Sequence, residues 1–244
     1  MHFNSLFLDS LDHIHHSWKE FLSPNIVLGL RKIEEQILST KQEFTPPSAH
    51  VLKFLKVPLH TIKVIILGQD PYPQKGVATG RAFEVGTLKS WNEKFSNISL
   101  KNIVRAIYYT YQNEYLKYSE IKNQIGVTFP LKSPNELFVK WEEQGVLLLN
   151  TSFTCEIGKS NSHEKLWREF TILLLKYISN TNQNITWLLW GNNAKSIVSD
   201  INIQNKIESM HPMMCYNKPG RDDDFLFGKR NAFSETMKII NWLG

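Results

Sequence analysis

The chain has 244 residues, a mass of 28.4 kDa and a composition that is 42% hydrophobic and 21% charged. This composition excludes an intrinsically disordered chain, and since no run of about 18 apolar residues occurs, it also excludes a membrane-spanning helix. The formal net charge of +5 and the pI near 9.0 favour an anionic partner such as DNA, RNA or an acidic lipid surface, although a basic protein without such a partner has the same charge.

Two cysteines occur, Cys155 and Cys215, which are too few and too isolated for a disulfide framework or a cysteine-based zinc site. His13, His15 and His16 lie in an amphipathic N-terminal stretch without a nearby cysteine, so we expect solvated histidines and no metal site. No basic region precedes an apolar stretch at the N-terminus. We therefore expect no signal peptide and a cytoplasmic protein.

Helix-starting residues mark three segments in chain order. Ser23-Pro24 opens an amphipathic stretch, and Ser133-Pro134-Asn135-Glu136 combines an N-cap serine, a proline at the first helical position and a capping-box glutamate. From Ser162 onward, apolar residues recur at the spacing of a helix with one buried face. We expect this stripe to lie in the core: Leu166, Phe170, Leu173, Leu174 and Tyr177.

Short apolar runs between these helices are typical of strands that are buried on both faces, as in a parallel sheet. The predicted strands are Val64–Leu67, Val146–Leu149, Thr186–Trp190 and, more weakly, Lys206–Met210. Because strands alternate with helices, we predict an α/β fold with a central, mostly parallel four-stranded sheet and helices on both faces. No repeat, linker or low-complexity tract interrupts the chain, so residues 1–244 are predicted to form a single domain.

Polar residues follow the predicted strands. Asp70, Asn150 and His211 each come just after a different strand, and ligands of open parallel sheets bind beyond the carboxyl ends of the strands, so we expect these side chains to face one cleft. Each residue alone has a structural alternative: Asp70 as an Asp-Pro turn, Asn150 as a partner for loop backbone, and His211 as a satisfied structural histidine. Their common position after separate strands favours a site.

Familiar cofactor and hydrolase motifs are missing. The sequence contains no Walker-type loop, no dinucleotide fingerprint after the first strand and no serine-hydrolase elbow. We therefore expect no nucleotide cofactor.

Five motifs, in this order, resemble those of family 1 uracil-DNA glycosylase. They are Gly68-Gln69-Asp70-Pro71-Tyr72, Gly80-Arg81-Ala82-Phe83, Leu147-Leu148-Leu149-Asn150-Thr151, Leu188-Leu189-Trp190-Gly191 and His211-Pro212. The resemblance covers residues 47–243, including Ser162-His163 with Trp167, whereas residues 1–46 resemble only the family's variable helical start. It implies the three-layer uracil-DNA glycosylase fold and hydrolysis of the bond that joins uracil to deoxyribose in DNA, as in base excision repair.

The resemblance implies catalytic roles for two residues. Asp70 would stabilise the sugar cation and orient the attacking water, and His211 would donate a hydrogen bond from a neutral imidazole to the departing uracil. No lysine occupies a motif position suited to attack the sugar. We therefore expect a monofunctional, metal-free hydrolase that flips the nucleotide out of the stack and forms no covalent intermediate.

Four further positions would bind the base by the same resemblance. Phe83 would stack on uracil, and Asn150 would pair with the edge that carries O4 and N3–H. Tyr72 would lie against C5 and exclude the methyl group of thymine. Gln69 would contribute backbone contacts and pocket shape.

DNA contacts are expected mainly with phosphates. The candidate residues are Ser99, Lys101, Asn192, Asn193, Met213, Met214, Lys218 and Arg221. The solvated surface is the alternative for the exposed Lys and Arg. Uracil-containing DNA, single- or double-stranded, is the expected partner of a monomeric enzyme, and a DNA-mimicking inhibitor protein is a further candidate.

The sequence departs from the family pattern in the loop that follows His211. The family's His-Pro-Ser-Pro-Leu loop, whose leucine enters the helix as uracil leaves, reads here His211-Pro212-Met213-Met214-Cys215-Tyr216. Met214 is our candidate for the wedge, although Cys215 aligns by counting and Tyr216 offers a stacking ring. We expect altered duplex binding with a relative preference for single strands.

Other departures accompany it. Pro73 stands where the family more often has histidine, and Asn192 replaces a common serine. Asp222, Asp223 and Asp224 would repel phosphate unless they point away or pair with Lys229 and Arg230. Two alternatives stay open: a non-catalytic DNA-binding or scaffold protein that retains the fold, and a superfamily relative that acts on another damaged base.

Overall fold

A parallel sheet of four strands forms the centre of the protein, whose computed structural model describes residues 7–244. The expectation that the chain lacks a signal peptide rests in part on residues 1–6, which lie outside the described residues. The strands are β1 (Phe44–Thr45), β2 (Val64–Gly68), β3 (Val146–Asn150), β4 (Cys155–Glu156), β5 (Thr186–Trp190) and β6 (Asn205–Ser209). The α-helices are α1 (Pro24–Ser39), α2 (Ser48–Val51), α3 (Ile98–Gln112), α4 (Tyr118–Ile121), α5 (Pro134–Glu143), α6 (Glu164–Thr181), α7 (Asn192–Ile197) and α8 (Ala232–Thr236).

The central sheet has the strand order β3-β2-β5-β6, and every neighbouring pair is parallel. The predicted α/β fold with four strands is therefore confirmed, with β6 starting and ending one residue earlier than predicted. β1 and β4 form a separate antiparallel pair.

Side chains of the central strands alternate between two apolar layers. Ile65 and Leu67 pack with α1 and α6, whereas Val64 and Ile66 pack with α3, α5 and α8. Because both faces of the sheet are covered, all residues of β2 and β3 are buried, which explains their unbroken apolar sequence.

Prolines start two of the predicted helices: α1 begins at Pro24 and α5 at Pro134. The expected capping box before α5 does not form. The Ser133 hydroxyl donates to the Glu136 carboxylate at 2.6 Å instead of accepting from the helix N–H groups, since a charged oxygen is the stronger acceptor.

The predicted core stripe of α6 is wrong at one position. Phe170 and Leu174 are buried, and Leu166 and Tyr177 are partly buried against the same core, but Leu173 is 43% exposed. The buried face of α6 also includes Trp167, Leu175 and Ile178, and it turns away from Leu173.

The N-terminal segment packs on the same layer as α1 and α6. The Phe7 N–H donates to Glu34 Oε1 at 2.7 Å, and Trp18 Nε1–H donates to the Val57 carbonyl at 2.7 Å. Both aromatic rings are fully buried. This segment therefore shares a core with the sheet. No helix among residues 7–244 combines the length and the apolar character that crossing a bilayer requires.

The two adjacent leucines of α6 provide a matched test of this packing. We expect Leu174→Ala to lower the free energy of unfolding by about 2–5 kcal/mol, because it leaves a cavity in the core. Leu173→Ala removes the same atoms from a half-exposed position and should change it by less than about 1 kcal/mol. Urea denaturation measures both, and equal losses would contradict the assigned burial.

Candidate active site

The four central strands end at one edge of the sheet, where a cavity of about 320 Å³ opens. Eight of the predicted site residues line this cavity: Gln69, Asp70, Tyr72, Phe83, Ser99, Asn150, His211 and Met213. Asn192 lines a smaller neighbouring hollow of about 140 Å³, which also includes Gln69 and His211. Lys101 and Met214 do not line either cavity.

Hydrogen bonds between two loops hold the residues after β2 in place. The Thr151 N–H donates to the Gly68 carbonyl at 3.0 Å, and Ser152 N–H donates to the Gln69 carbonyl at 2.9 Å. The Cys155 thiol donates to the Pro71 carbonyl at 3.4 Å. The parallel ladder of β2 and β3 thus continues into the loops, and Asp70 projects from a fixed backbone.

Asp70 is a partly buried carboxyl group beside a backbone donor. Burial raises its pKa above the usual 3.8, and a hydrogen bond from the Asn161 N–H to Oδ2 at 2.7 Å opposes this rise by stabilising the anion. Glu164 adds a smaller like-charge effect that also raises the pKa. The carboxylate therefore has one oxygen held by the protein.

Asn150 lies at the end of β3, opposite Gly68 in the ladder. A Cβ atom at Gly68 would overlap Asn150 Oδ1 and lie 2.9 Å from the Ala82 methyl group, so the close approach requires glycine. Asn150 is 6% exposed, and within residues 7–244 its side-chain amide forms no hydrogen bond to the protein. Because Asn150 lines the cavity, its amide is accessible to a ligand there.

Two aromatic residues form the apolar part of the cavity. The Phe83 ring centroid lies 5.4 Å from that of Trp190 and 6.1 Å from that of His211. The Tyr72 hydroxyl donates to the Phe83 carbonyl at 3.4 Å. Burial raises the pKa of Tyr72 to about 12, so its ring stays neutral. Together they offer a flat, uncharged surface beside the Asn150 amide.

The His211 ring is fixed by its own loop. The Met213 N–H donates to His211 Nδ1 at 3.2 Å, which identifies Nδ1 as the unprotonated nitrogen and leaves Nε2–H as a donor. Burial lowers the pKa of His211, so the neutral ring is favoured at pH 7. A Cβ atom at Gly191 would lie 2.9 Å from His211 Cβ, and Gly191 has φ +89°; glycine thus permits this contact.

The loop after His211 exposes three large apolar side chains. Met213, Met214 and Tyr216 are 53%, 47% and 47% exposed. Cys215 instead turns toward the protein, and its thiol donates to the Pro212 carbonyl at 3.1 Å. The residue that aligns with the family leucine by counting is therefore only partly exposed.

The three aspartates of this loop differ in their contacts. Asp222 pairs with Lys229 at 2.5 Å, one of the arrangements that would offset its repulsion of phosphate, whereas Arg230 binds Glu235 at 2.9 Å. Glu235 is five residues away on α8 and within easy reach.

Asp224 is fully buried. It accepts hydrogen bonds from the backbone N–H groups of Tyr216, Leu226 and Phe227. Its Oδ2 also accepts from Arg221 Nε at 3.3 Å, and Arg221 Nη2 donates to the Met214 carbonyl at 2.6 Å. Arg221, a candidate phosphate ligand, thus holds the loop together. Asp224 is withdrawn from any DNA surface.

The remaining predicted DNA contacts lie apart from the cavity. Lys101 Nζ is 5.0 Å from the Phe95 ring centroid, and Lys218 Nζ is 6.0 Å from that of Tyr216. Asn193 Oδ1 accepts from the Thr151 hydroxyl at 3.1 Å, which gives Asn193 a structural contact. Asn192 is exposed at the start of α7.

Two of the three N-terminal histidines, His13 and His16, are exposed as we expected, whereas His15 is not fully solvated. His15 is partly buried and hydrogen-bonds Ser17 through Nδ1 at 2.8 Å, and its ring centroid is 4.1 Å from that of His16. Across residues 7–244, no group of three or more histidine, cysteine, aspartate or glutamate side chains is arranged to hold a metal ion.

Sequence reasoning missed Asn161, which lines the cavity. Besides its N–H contact to Asp70, its Oδ1 accepts from Gln69 Nε2 at 2.5 Å. Its φ of +63° is a left-handed conformation that asparagine tolerates better than most residues. Its position directly before the Ser162-His163 motif is the signal that was available.

Comparison with known proteins identifies related chains. The family model described as the uracil DNA glycosylase superfamily matches residues 56–235. The uracil-DNA glycosylase of Fusobacterium nucleatum is 32% identical over 238 residues, which cover 95% of this chain and 93% of the relative.

Solved structures share the fold at lower identity. The uracil-DNA glycosylase of Nitratifractor salsuginis has a TM-score of 0.65 at 23% identity and covers 83% of this chain and 86% of that chain. A mimivirus variant in complex with UGI has a TM-score of 0.68 at 22% identity and covers 94% and 84%. These structural matches support the three-layer fold.

The ring state of His211 is directly measurable. In ¹⁵N NMR spectra at pH 7 we expect a neutral ring protonated on Nε2. Because burial lowers its pKa from 6.5, His211 should take up a second proton only when the pH falls below the range in which an exposed histidine titrates. Met213→Pro, which lacks the donor N–H, should increase the Nδ1-protonated form, whereas Met213→Ala should not. An imidazolium ring at pH 7 would contradict this assignment.

Proposed function

Because the chain belongs to the uracil-DNA glycosylase superfamily, we propose that it hydrolyses the N-glycosyl bond of uracil in DNA with Asp70 and His211 stabilising the two charges that separate. Excision of uracil from DNA is the activity that the family membership assigns to it. One observation carries the residue assignment: a single cavity combines the Asp70 carboxylate, the Asn150 amide, the imidazole of His211 and two aromatic rings.

Cleavage of the bond leaves positive charge on the sugar. An ionised Asp70 about 4 Å from that cation would stabilise it by roughly 4 kcal/mol at an effective dielectric constant near 20, or about three decades of rate. Burial raises the pKa of Asp70, and the Asn161 N–H limits this rise. With one oxygen held by Asn161, the carboxylate has its other oxygen available to orient a water molecule.

Negative charge develops on the departing uracil. His211 Nε2–H donates a hydrogen bond to the O2 atom as that charge grows, and no proton has to be transferred. A donor that is already fixed by Met213 needs no reorganisation during the reaction. Among residues 7–244, the cavity lining includes no lysine, which supports water as the nucleophile and a monofunctional enzyme.

The base must leave the helix to reach this cavity, at a cost of a few kcal/mol. Phe83 stacks on the flipped base, a contact worth about 1–3 kcal/mol that does not discriminate between bases. Selection comes from Asn150, whose amide pairs with O4 and N3–H of uracil; cytosine presents the reverse pattern and would leave buried groups unpaired. The Tyr72 ring excludes the methyl group of thymine.

Asp70→Asn tests this assignment. We expect the rate of uracil excision to fall about a thousandfold, because the amide lacks the charge that stabilises the sugar cation. Labelled uracil-containing DNA is incubated with each protein, and abasic products are cleaved with alkali. Asp200→Asn, an exposed carboxylate on another part of the chain, is the matched control. DNA binding without strand breaks by the wild type would instead favour a scaffold protein.

DNA binding is proposed to depend on phosphate contacts and on the loop after His211. Ser99 borders the cavity mouth together with Met213, and the net charge of +5 supports a salt-sensitive interaction. Met214 is the proposed wedge. Its exposed side chain lies next to Met213 and Tyr216, and methionine is long, apolar and adaptable.

The wedge has a matched test in a second exposed methionine. Met214→Ala should reduce excision from double-stranded DNA several-fold more than from single-stranded DNA, because only the duplex needs a side chain to fill the vacated stack. Met237 is similarly exposed but lies directly after α8, outside the loop that follows His211, so Met237→Ala should change neither rate. Excision assays on both substrates decide this, and an unchanged ratio for Met214→Ala would count against the wedge.

We further propose that the enzyme acts as a monomer of one domain, 1–244, in the cytoplasm. Both cysteines are free, which suits a reducing compartment. A DNA-mimicking inhibitor is a candidate partner, since a structurally similar mimivirus protein forms a complex with UGI.

A further inference from the structure

Phe83 has a backbone conformation that few residues other than glycine adopt. Its φ is +64°, and such residues persist where the surrounding structure fixes them. The ring borders the cavity between Trp190 and His211. A small change in this torsion would therefore swing the ring away from the base.

An ion pair links the two sides of this strained residue. Arg81 Nη1 lies 3.2 Å from Glu84 Oε2, and the two side chains are only 10% and 7% exposed. The Thr79 hydroxyl donates to the same carboxylate and accepts from the Arg81 N–H at 3.3 Å. The turn on both sides of Phe83 is thus closed by polar contacts.

Arg81 of this ion pair also binds α5, one of the helices that pack on the sheet. Arg81 binds Glu142 on α5 through Nε at 3.1 Å and Nη2 at 2.5 Å. One planar guanidinium therefore binds two carboxylates from different parts of the chain, a geometry that lysine cannot reproduce.

The network of Arg81, Glu84 and Glu142 is a largely buried cluster of paired charges. Buried ion pairs add little to stability, because the desolvation of the charges offsets their attraction, and apolar replacements of the whole group are often neutral. Apolar side chains, however, cannot form the directional hydrogen bonds that fix the geometry of the turn around Phe83. We propose that Arg81, Glu84 and Glu142 are positioning residues that hold the Phe83 ring against the flipped base, an inference that rests on the proposed function.

The test is a set of variants in two backgrounds. Arg81→Lys keeps a cation that reaches one carboxylate at a time. The triple variant Arg81→Met, Glu84→Gln and Glu142→Gln neutralises all three side chains of the network. Each is made with Phe83 and with Phe83→Ala, and each is assayed for kcat/KM on single-stranded uracil-DNA, for the inhibition constant of free uracil and for Tm.

With Phe83 present, we expect Arg81→Lys and the triple variant to lower kcat/KM about tenfold and to weaken inhibition by free uracil to a similar degree. With Phe83→Ala, the same changes should alter both quantities by less than about twofold, because the ring that they position is gone. Lys140→Met, which removes an exposed ion pair on the same helix α5, is the control and should leave kcat/KM and the inhibition constant unchanged.

Three results would overturn the inference. Equal losses in both backgrounds would mean that the network only supports the fold, and a loss that follows Tm alone would mean the same. An unchanged kcat/KM for Phe83→Ala would remove the stacking role on which the network acts. Failure of the proposed function looks different, since the wild-type protein itself would then release no uracil.

Discussion

The parallel pairing of β2 with β3 is the constraint on which the site depends. It sets Gly68 beside Asn150, and the missing side chain of Gly68 leaves room for the Asn150 amide. The ladder then passes into the loops through the Thr151 and Ser152 N–H groups, which hold the backbone just before Asp70 in place. A carboxylate and an amide that are 80 residues apart in sequence are thereby held in one cavity.

The protonation of Asp70 and of His211 depends on the surroundings of each side chain in the cavity. Burial raises the pKa of Asp70 and lowers that of His211. The Asn161 N–H stabilises the Asp70 anion, and the Met213 N–H favours the Nε2-protonated ring of His211. The protein uses main-chain donors for this purpose, and their positions follow from loop geometry more than from side-chain identity. Such donors cost no reorganisation when charge develops.

Local sequence patterns predicted the strands of the central sheet and the polar residues at their ends. The four strands appear as apolar runs because both faces of the sheet are covered, and polar residues mark the strand ends. Contacts set by tertiary structure were out of reach. Asn161 meets Asp70 across 91 positions, Arg81 meets Glu142 across 61, and no pattern distinguishes these contacts from solvated side chains. The prediction for Leu173 was wrong for a related reason: the position of the buried face of α6, which includes Leu175 and Ile178, is set by the elements that pack on it.

Met213 has an exposed side chain and a backbone N–H that contacts a residue of the cavity. Its side chain is exposed on the surface proposed to meet DNA, while its own amide holds the imidazole of His211. One residue thus connects the proposed DNA contact of the loop with the position of the proton on the His211 ring. A longer or shorter segment at this point would move the donor away from the ring as well as change the reach of the loop, so the length of the loop and the tautomer of His211 are coupled.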